Sequence, residues 1–183
     1  MNKTIYQNWI EIAYKEFAEI GPNFSLKALS NKAKLPRATF YYHFESKEEL
    51  ISELLLHHKQ CTAIYFKDLE TKVKNLIPDL YELLYAYKIN LLFHHQLLKH
   101  KETDKFYEVY KDLNAQSYAI LFPHLKLLFQ PQGTDKDIVD FFNVLTDTWY
   151  TRLDIKNLSV DHMIELAVEI LESTLGLYAG DGT

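Results

Sequence analysis

The run from Phe24 to Leu50, FSLKALSNKAKLPRATFYYHFESKEEL, restricts the chain more than any other stretch. Leu26, Leu29 and Ala33 recur at helical spacing and bury one face of a short helix, with Ser25 placed to cap its first turn. Pro36 disfavours the α conformation at Leu35, so the chain turns there, and proline suits the first position of a new helix. In that second helix Phe40 and Phe44 point inward, while Ala38 and Tyr42, flanked by Thr39 and Tyr41, leave a small and polar outer face. Ser46-Lys47-Glu48-Glu49 then reads as a capping box opening a third, apolar helix. Two short helices meet at a tight turn, and the second carries Arg37, Thr39, Tyr41, Tyr42 and His43. That is a helix-turn-helix with donors suited to phosphates and base edges.

The net charge of −5 opposes nucleic acid binding until it is divided along the chain. Between Ser25 and Lys47, the cations Lys27, Lys32, Lys34, Arg37 and Lys47 stand against Glu45 alone. The balance is +4 there and −9 over the rest. Positive charge is therefore concentrated where phosphates would sit, and the acidic remainder discourages contact elsewhere.

The whole chain reads as helix. The five Gly and five Pro fall at boundaries, and no segment alternates as a strand would. The pattern predicts a first helix over about 3–20, with Ile5, Trp9, Ile12, Ala13 and Phe17 on one stripe, ended by Gly21-Pro22. The fourth helix runs from Ser46 toward Lys72. One helix follows Pro78, with Leu80, Leu83, Leu84, Tyr87, Leu91 and Leu92 at helical spacing. A short helix covers about 103–110, and another over 114–129 is kinked or interrupted at Pro123. Residues 130–134 form a surface loop, and two long helices over about 135–153 and 159–177 close the chain.

The run Thr39-Phe40-Tyr41-Tyr42-His43-Phe44, followed by Ser46-Lys47-Glu48-Glu49-Leu50, resembles the signature of the tetracycline-repressor (TetR) family of bacterial transcription regulators. The likeness covers about residues 3 to 55. Three positions depart from it: Lys34 and Ala38 stand where the family often has Gly, and Pro36 where it has Ser or Thr. A side chain held in the left-handed conformation at Lys34 costs roughly 1 kcal/mol.

The resemblance implies an all-α, two-part protein: a helix-turn-helix DNA-binding domain over 1–55 and a helical effector-binding and dimerisation domain over 56–183. Arg37, Ala38, Thr39 and Tyr41 would approach base edges, while Ser25, Lys27, Tyr42, His43 and Lys47 would hold phosphates. Phe141, Leu145, Ile164, Val168, Leu171 and Leu175 would join the closing helices to their twins in a four-helix bundle. The aromatic middle would surround a small effector, with Tyr85, His94, Tyr107, Tyr118 and Trp149 as its lining, because Tyr, His and Trp need polar partners when buried.

Other chemistries find no support in the residues. His57-His58 and His94-His95 are adjacent pairs that point about 100° apart on a helix, unlike a helical zinc chelate, and no metal or other cofactor is expected. Cys61 is the single cysteine, without a CxxC partner, and reads as a packed thiol. No phosphate loop, nucleophile elbow or paired carboxylates nominate a reaction, so the chain is not expected to be an enzyme. Without a signal peptide or an apolar span of ~20 residues, the expectation is a cytoplasmic protein with no membrane partner. Its expected partners are double-stranded operator DNA, a second copy of itself and a small-molecule effector. The alternative is a helical ligand- or partner-binding protein whose helix-turn-helix no longer engages DNA.

Overall fold

Helix α1, Ile5–Ile20, opens on a complete capping box: the Thr4 hydroxyl accepts from the Gln7 backbone N–H, and the Gln7 side chain accepts from Thr4 N–H. The computed structural model describes residues 4–129 and 134–179. Gly21 ends α1 with φ +72° and ψ −157°, a region open to glycine, and a Cβ there would sit 2.6 Å from His100 Nε2. Then come α2 (Leu26–Ala33), α3 (Arg37–Tyr41), α4 (Lys47–Lys72), α5 (Tyr81–Ala86), α6 (Lys88–Lys99), α7 (Asp104–Phe129), α8 (Asp135–Arg152) and α9 (Val160–Ala179). No strand occurs among the described residues, so the all-α reading stands.

The chain forms two compact units: 1–64 with 89–110, and 65–88 with 111–183. In the first, Trp9, Ala13 and Phe17 of α1 are fully buried with Leu29, Phe40, Leu50 and Leu54. Helix α6 joins them through Phe93, stacked at 4.3 Å on Phe17 and at 4.6 Å on Tyr14. The side-chain amide of Gln96 donates to the Ala18 and Glu19 carbonyls, satisfying the end of α1. Ile5, placed on the buried stripe from sequence, is instead 47% exposed, and Ile10 and Tyr14 take buried places.

In the second unit Leu69, Val73, Leu83, Leu121, Leu125, Ile138 and Phe142 form the core with Tyr65. Helix α8 packs on α9, and so does α5. Two expectations need correction. The single helix after Pro78 is two, because Tyr87 (φ −100°, ψ 31°) leaves the helical region between α5 and α6. The two helices over 103–110 and 114–129 are one, since α7 runs through Pro123 without interruption. Proline removes one backbone bond there, while Leu113, Leu121 and Leu125 remain buried on both sides of it. The loop expected at 130–134 lies outside the described residues except for Thr134, which caps α8.

The turn between α2 and α3 has a specific construction. Lys34 is left-handed (φ 53°, ψ 37°), Leu35 N–H donates to Ser30 O, and Lys34 N–H donates to Asn31 O. This is the double bond of a Schellman ending, usually built on glycine. Lys34→Gly is expected to leave stability unchanged or raise it by up to about 1 kcal/mol, whereas β-branched Lys34→Val should lower it by more than about 1 kcal/mol. Urea unfolding of the three proteins checks the order, and Val as stable as Gly would contradict the left-handed turn.

Candidate nucleic-acid interface

The recognition helix is only five residues long, so its position depends on what it packs against. Phe40 is buried edge-on to Trp9 at 5.5 Å and lies 5.2 Å from Phe44. The Trp9 indole N–H donates to the Thr39 hydroxyl at 3.2 Å, and that hydroxyl donates to the Pro36 carbonyl at 2.7 Å. Pro36 is the N-cap, one place before the N1 position expected, and Arg37 is the first helical residue.

These anchors leave one face in solvent. Arg37, Ala38 and Tyr41 are exposed, and Tyr42 is 86% exposed. Thr39 is half-buried, and its hydroxyl is engaged with Trp9 and Pro36, so it ties α3 to α1. His43 lies edge-on between Tyr6 (5.9 Å) and Tyr42 (5.5 Å), and Tyr6 also stacks on Phe44. Burial, then its hydrogen bond to Glu53 at 2.8 Å, push the Tyr6 hydroxyl up to about 12.

Three of the phosphate-type residues, Ser25, Lys27 and Lys47, sit at helix starts, whereas Tyr42 and His43 follow the end of α3. Ser25 Oγ accepts from Ala28 N–H at 3.1 Å and caps α2, with exposed Lys27 beside it. Ser46 Oγ accepts from Glu49 N–H, and the Glu49 carboxylate accepts from Glu45 N–H rather than from Ser46, a capping box displaced by one residue. Lys47 opens α4 with its ammonium 4.6 Å from the centre of the Phe24 ring; partial burial lowers its pKa, against a smaller opposing pull from Glu48. Lys32 is spent elsewhere, paired with the buried Glu16 and with Glu19 of α1. The cations of residues 25–47 outside these two ion pairs are Lys27, Lys34, Arg37 and Lys47. Tyr6, Trp9 and Phe24, which position this face, are legible in sequence only as apolar periodicity.

Behind the reader lies a polar chain that adjacent-pair reasoning missed. His58 is fully buried, with Nδ1 2.9 Å from the Tyr14 hydroxyl and Nε2 3.3 Å from His94 Nδ1, and its ring stacks on Phe93. Its partners come from α1 and α6, not from His57. Burial, then the neighbouring His94 and His57, hold the His58 pKa well below 6.5, and burial lowers those of His57 and His95 too. A base with a depressed folded pKa stabilises the fold above its unfolded pKa near 6.5 and loses that contribution as pH falls below it. Stability should therefore drop between pH 6.5 and 5, by up to about 1.4 kcal/mol per pH unit for each such histidine. His58→Phe should remove about one proton from that slope, measured by urea unfolding at several pH values. An unaltered slope would contradict a neutral His58. Cys61 Sγ lies 3.5 Å from His57 Nε2, and burial raises its thiol pKa, the setting of a quiet thiol.

The five effector candidates divide between the two units. His94 and Tyr107 belong to the first unit, where His94 is buried against Tyr110 and Tyr107 stacks on the same ring. Tyr85, Tyr118 and Trp149 belong to the second. Tyr85 is 39% exposed, Tyr118 packs between Phe122 and Phe142, and the Trp149 indole donates to the Met163 carbonyl. A cavity of about 420 Å³ in the second unit is lined by Lys74, Leu76, Tyr81, His124, Leu145 and Leu171, among others. Among the described residues no group of three metal-ligating side chains occurs, and no helix is long and apolar enough to cross a membrane.

On the closing helices, Met163, Leu166, Ala167 and Ile170 of α9 are buried within their own unit, as are Ile138, Phe142, Trp149 and Tyr150 of α8. Phe141, Leu145, Ile164, Val168 and Leu171 are half-buried, and Leu175 lies outside the residues whose side chains are described. The half-buried stripe Ile164-Val168-Leu171 follows i, i+4, i+7 spacing next to the buried one.

Comparison with known proteins agrees with this geometry. Residues 10–54 match the model of the bacterial regulatory proteins of the tetR family, a span from α1 through the helix-turn-helix into α4. The solved structure of a transcriptional regulator (TerR/AcrR family) from Aquifex aeolicus VF5 shares the fold, with TM-score 0.60 and 21% identity over 92% of this chain and 98% of that one. No curated protein matches the chain in sequence. The helix-turn-helix over residues 10–54 is thus similar to that of the tetR family, and the all-α fold is shared with a solved transcriptional regulator.

Proposed function

We propose that the protein is a sequence-specific DNA-binding transcriptional regulator, a cytoplasmic homodimer acting as a repressor that a small-molecule effector releases. The observation that carries this reading is the outer face of α3, where Arg37, Ala38, Tyr41 and Tyr42 are exposed while Phe40 and Trp9 fix the helix from behind. In this reading residues 1–55 read DNA, with Arg37, Ala38, Thr39 and Tyr41 at base edges or adjacent phosphates. Ser25, Lys27, Tyr42, His43 and Lys47 hold phosphates, Lys47 helped by the positive end of α4. Residues 56–183 sense the effector and dimerise, with 56–64 and 89–110 also bracing the reader's own unit. Phe141, Leu145, Ile164, Val168, Leu171 and Leu175 form the dimer face. Two readers would then meet half-sites about 34 Å apart, one turn of DNA. Nothing among these roles is a reaction, and the reading includes no enzymatic activity.

Selection of bound sequences from a random DNA pool tests the assignments. Lys47→Ala should weaken binding to all sequences alike, because a phosphate contact carries no base information. Arg37→Ala should lose about 1–3 kcal/mol at particular positions and relax the selected motif there. An unchanged motif in Arg37→Ala, with altered preference in Lys47→Ala, would reverse the two roles.

A further inference from the structure

We propose that the cavity of the second unit binds a small amphipathic anion, a medium-chain alkyl carboxylate, and that this is the effector's chemical class; the second half of the statement rests on the regulator reading above. The cavity measures about 420 Å³, within the usual ~300–1,000 Å³ of small-molecule sites. Its walls come from the irregular turn Leu76–Leu80, the end of α7, and helices α8 and α9. Leu76, Ile77, Leu125, Leu145 and Leu171 make most of the surface apolar, which suits an alkyl chain and gives a sugar or nucleotide too few partners.

The polar lining has one sign. Lys74 supplies an ammonium, and Asn75, Tyr81 and His124 supply hydrogen-bonding groups, while no carboxylate lines the cavity among the described residues. The nearby Asp79 carboxylate is already occupied, accepting backbone N–H bonds from Lys74 (2.8 Å) and Asn75 (2.9 Å). Those two bonds also hold the turn that brings the Lys74 side chain to the cavity. A carboxylate headgroup at Lys74 finds a countercharge, whereas a cationic amphiphile finds none. Leu145 and Leu171 also belong to the proposed dimer face, so a ligand seated here would reshape the surface that a second copy meets. A second copy of the chain is the alternative occupant, and the titration distinguishes it from the ligand.

The test is calorimetric titration of the full chain with octanoate, decanoate, decanol and decyltrimethylammonium, each below its micellar concentration. Affinity should rise about fourfold for each methylene buried, from octanoate to decanoate. Decanoate should bind better than decanol, and the cationic amphiphile worst. Lys74→Gln, a change at an exposed side chain, should cost decanoate about two- to fivefold, the range for a solvent-screened charge pair, and leave decanol unaffected. Leu145→Trp, checked for its folded signal by circular dichroism, should fill the cavity and abolish binding. Binding without headgroup preference, or unchanged in either variant, would overturn the assignment, as would binding seen only when the chain is made monomeric. Decanoate that saturates the protein without altering its DNA affinity would overturn the effector role. Tight decanoate binding by a chain that engages no DNA would support the site and overturn the regulator reading.

Discussion

Phe40→Ala is expected to lower stability by about 3–5 kcal/mol, the range for truncating a buried phenylalanine. Phe40 is 1% exposed and touches Trp9, Tyr41 and Phe44, so its loss opens a cavity at the centre of the reader. A five-residue helix has no stability of its own, so α3 would detach even where the remainder stays folded. Urea unfolding should show the loss directly. Tyr42→Ala is the matched control: at 86% exposure it should change stability by less than about 0.5 kcal/mol while weakening DNA binding. A loss below about 1 kcal/mol in Phe40→Ala would mean that the aromatic cluster does not hold the recognition helix.

Val168→Glu is expected to turn a dimer into a monomer. Val168 sits on the half-buried stripe of α9, beside but apart from the buried Met163, Leu166, Ala167 and Ile170. A glutamate there is tolerable in the free chain but leaves an unpaired charge when two copies close over it, at a cost of about 3–5 kcal/mol on each side. Sedimentation at micromolar concentration should give a mass near twice 21.6 kDa for the wild type and 21.6 kDa for the variant. Operator affinity should fall at least 100-fold with it, because one reader loses the second half-site. A wild-type monomer would remove the dimer and the expectation of a palindromic operator.

The reader was largely legible because its signals are local. Ser25, Pro36, Phe40, Phe44 and Ser46 each act on the chain within one or two helical turns, and caps and aromatic spacing report such events. What escaped depends on partners distant in sequence. The pairing of Lys32 with Glu16 crosses from α2 to α1 and removes a charge that a linear count assigned to DNA. The contact of His58 with His94 spans 36 positions, so histidines read as two adjacent pairs turned out to meet across helices. Tyr87 and Pro123 misled in opposite directions: an ordinary tyrosine breaks a helix, and a proline sits inside one, because neighbouring packing outweighs intrinsic preference. The cavity is lined from four separate segments, and Lys74 and His124 carry no signature that would join them before the chain is folded.

Incubation of the full chain with a random-sequence DNA pool, followed by sequencing of the bound fraction, is the most direct test of DNA reading. A two-fold symmetric motif should emerge, with half-site centres about 34 Å or a multiple apart and with affinity falling steeply as salt rises. Binding that selects no sequence, or none above the acidic chain's background, would contradict it.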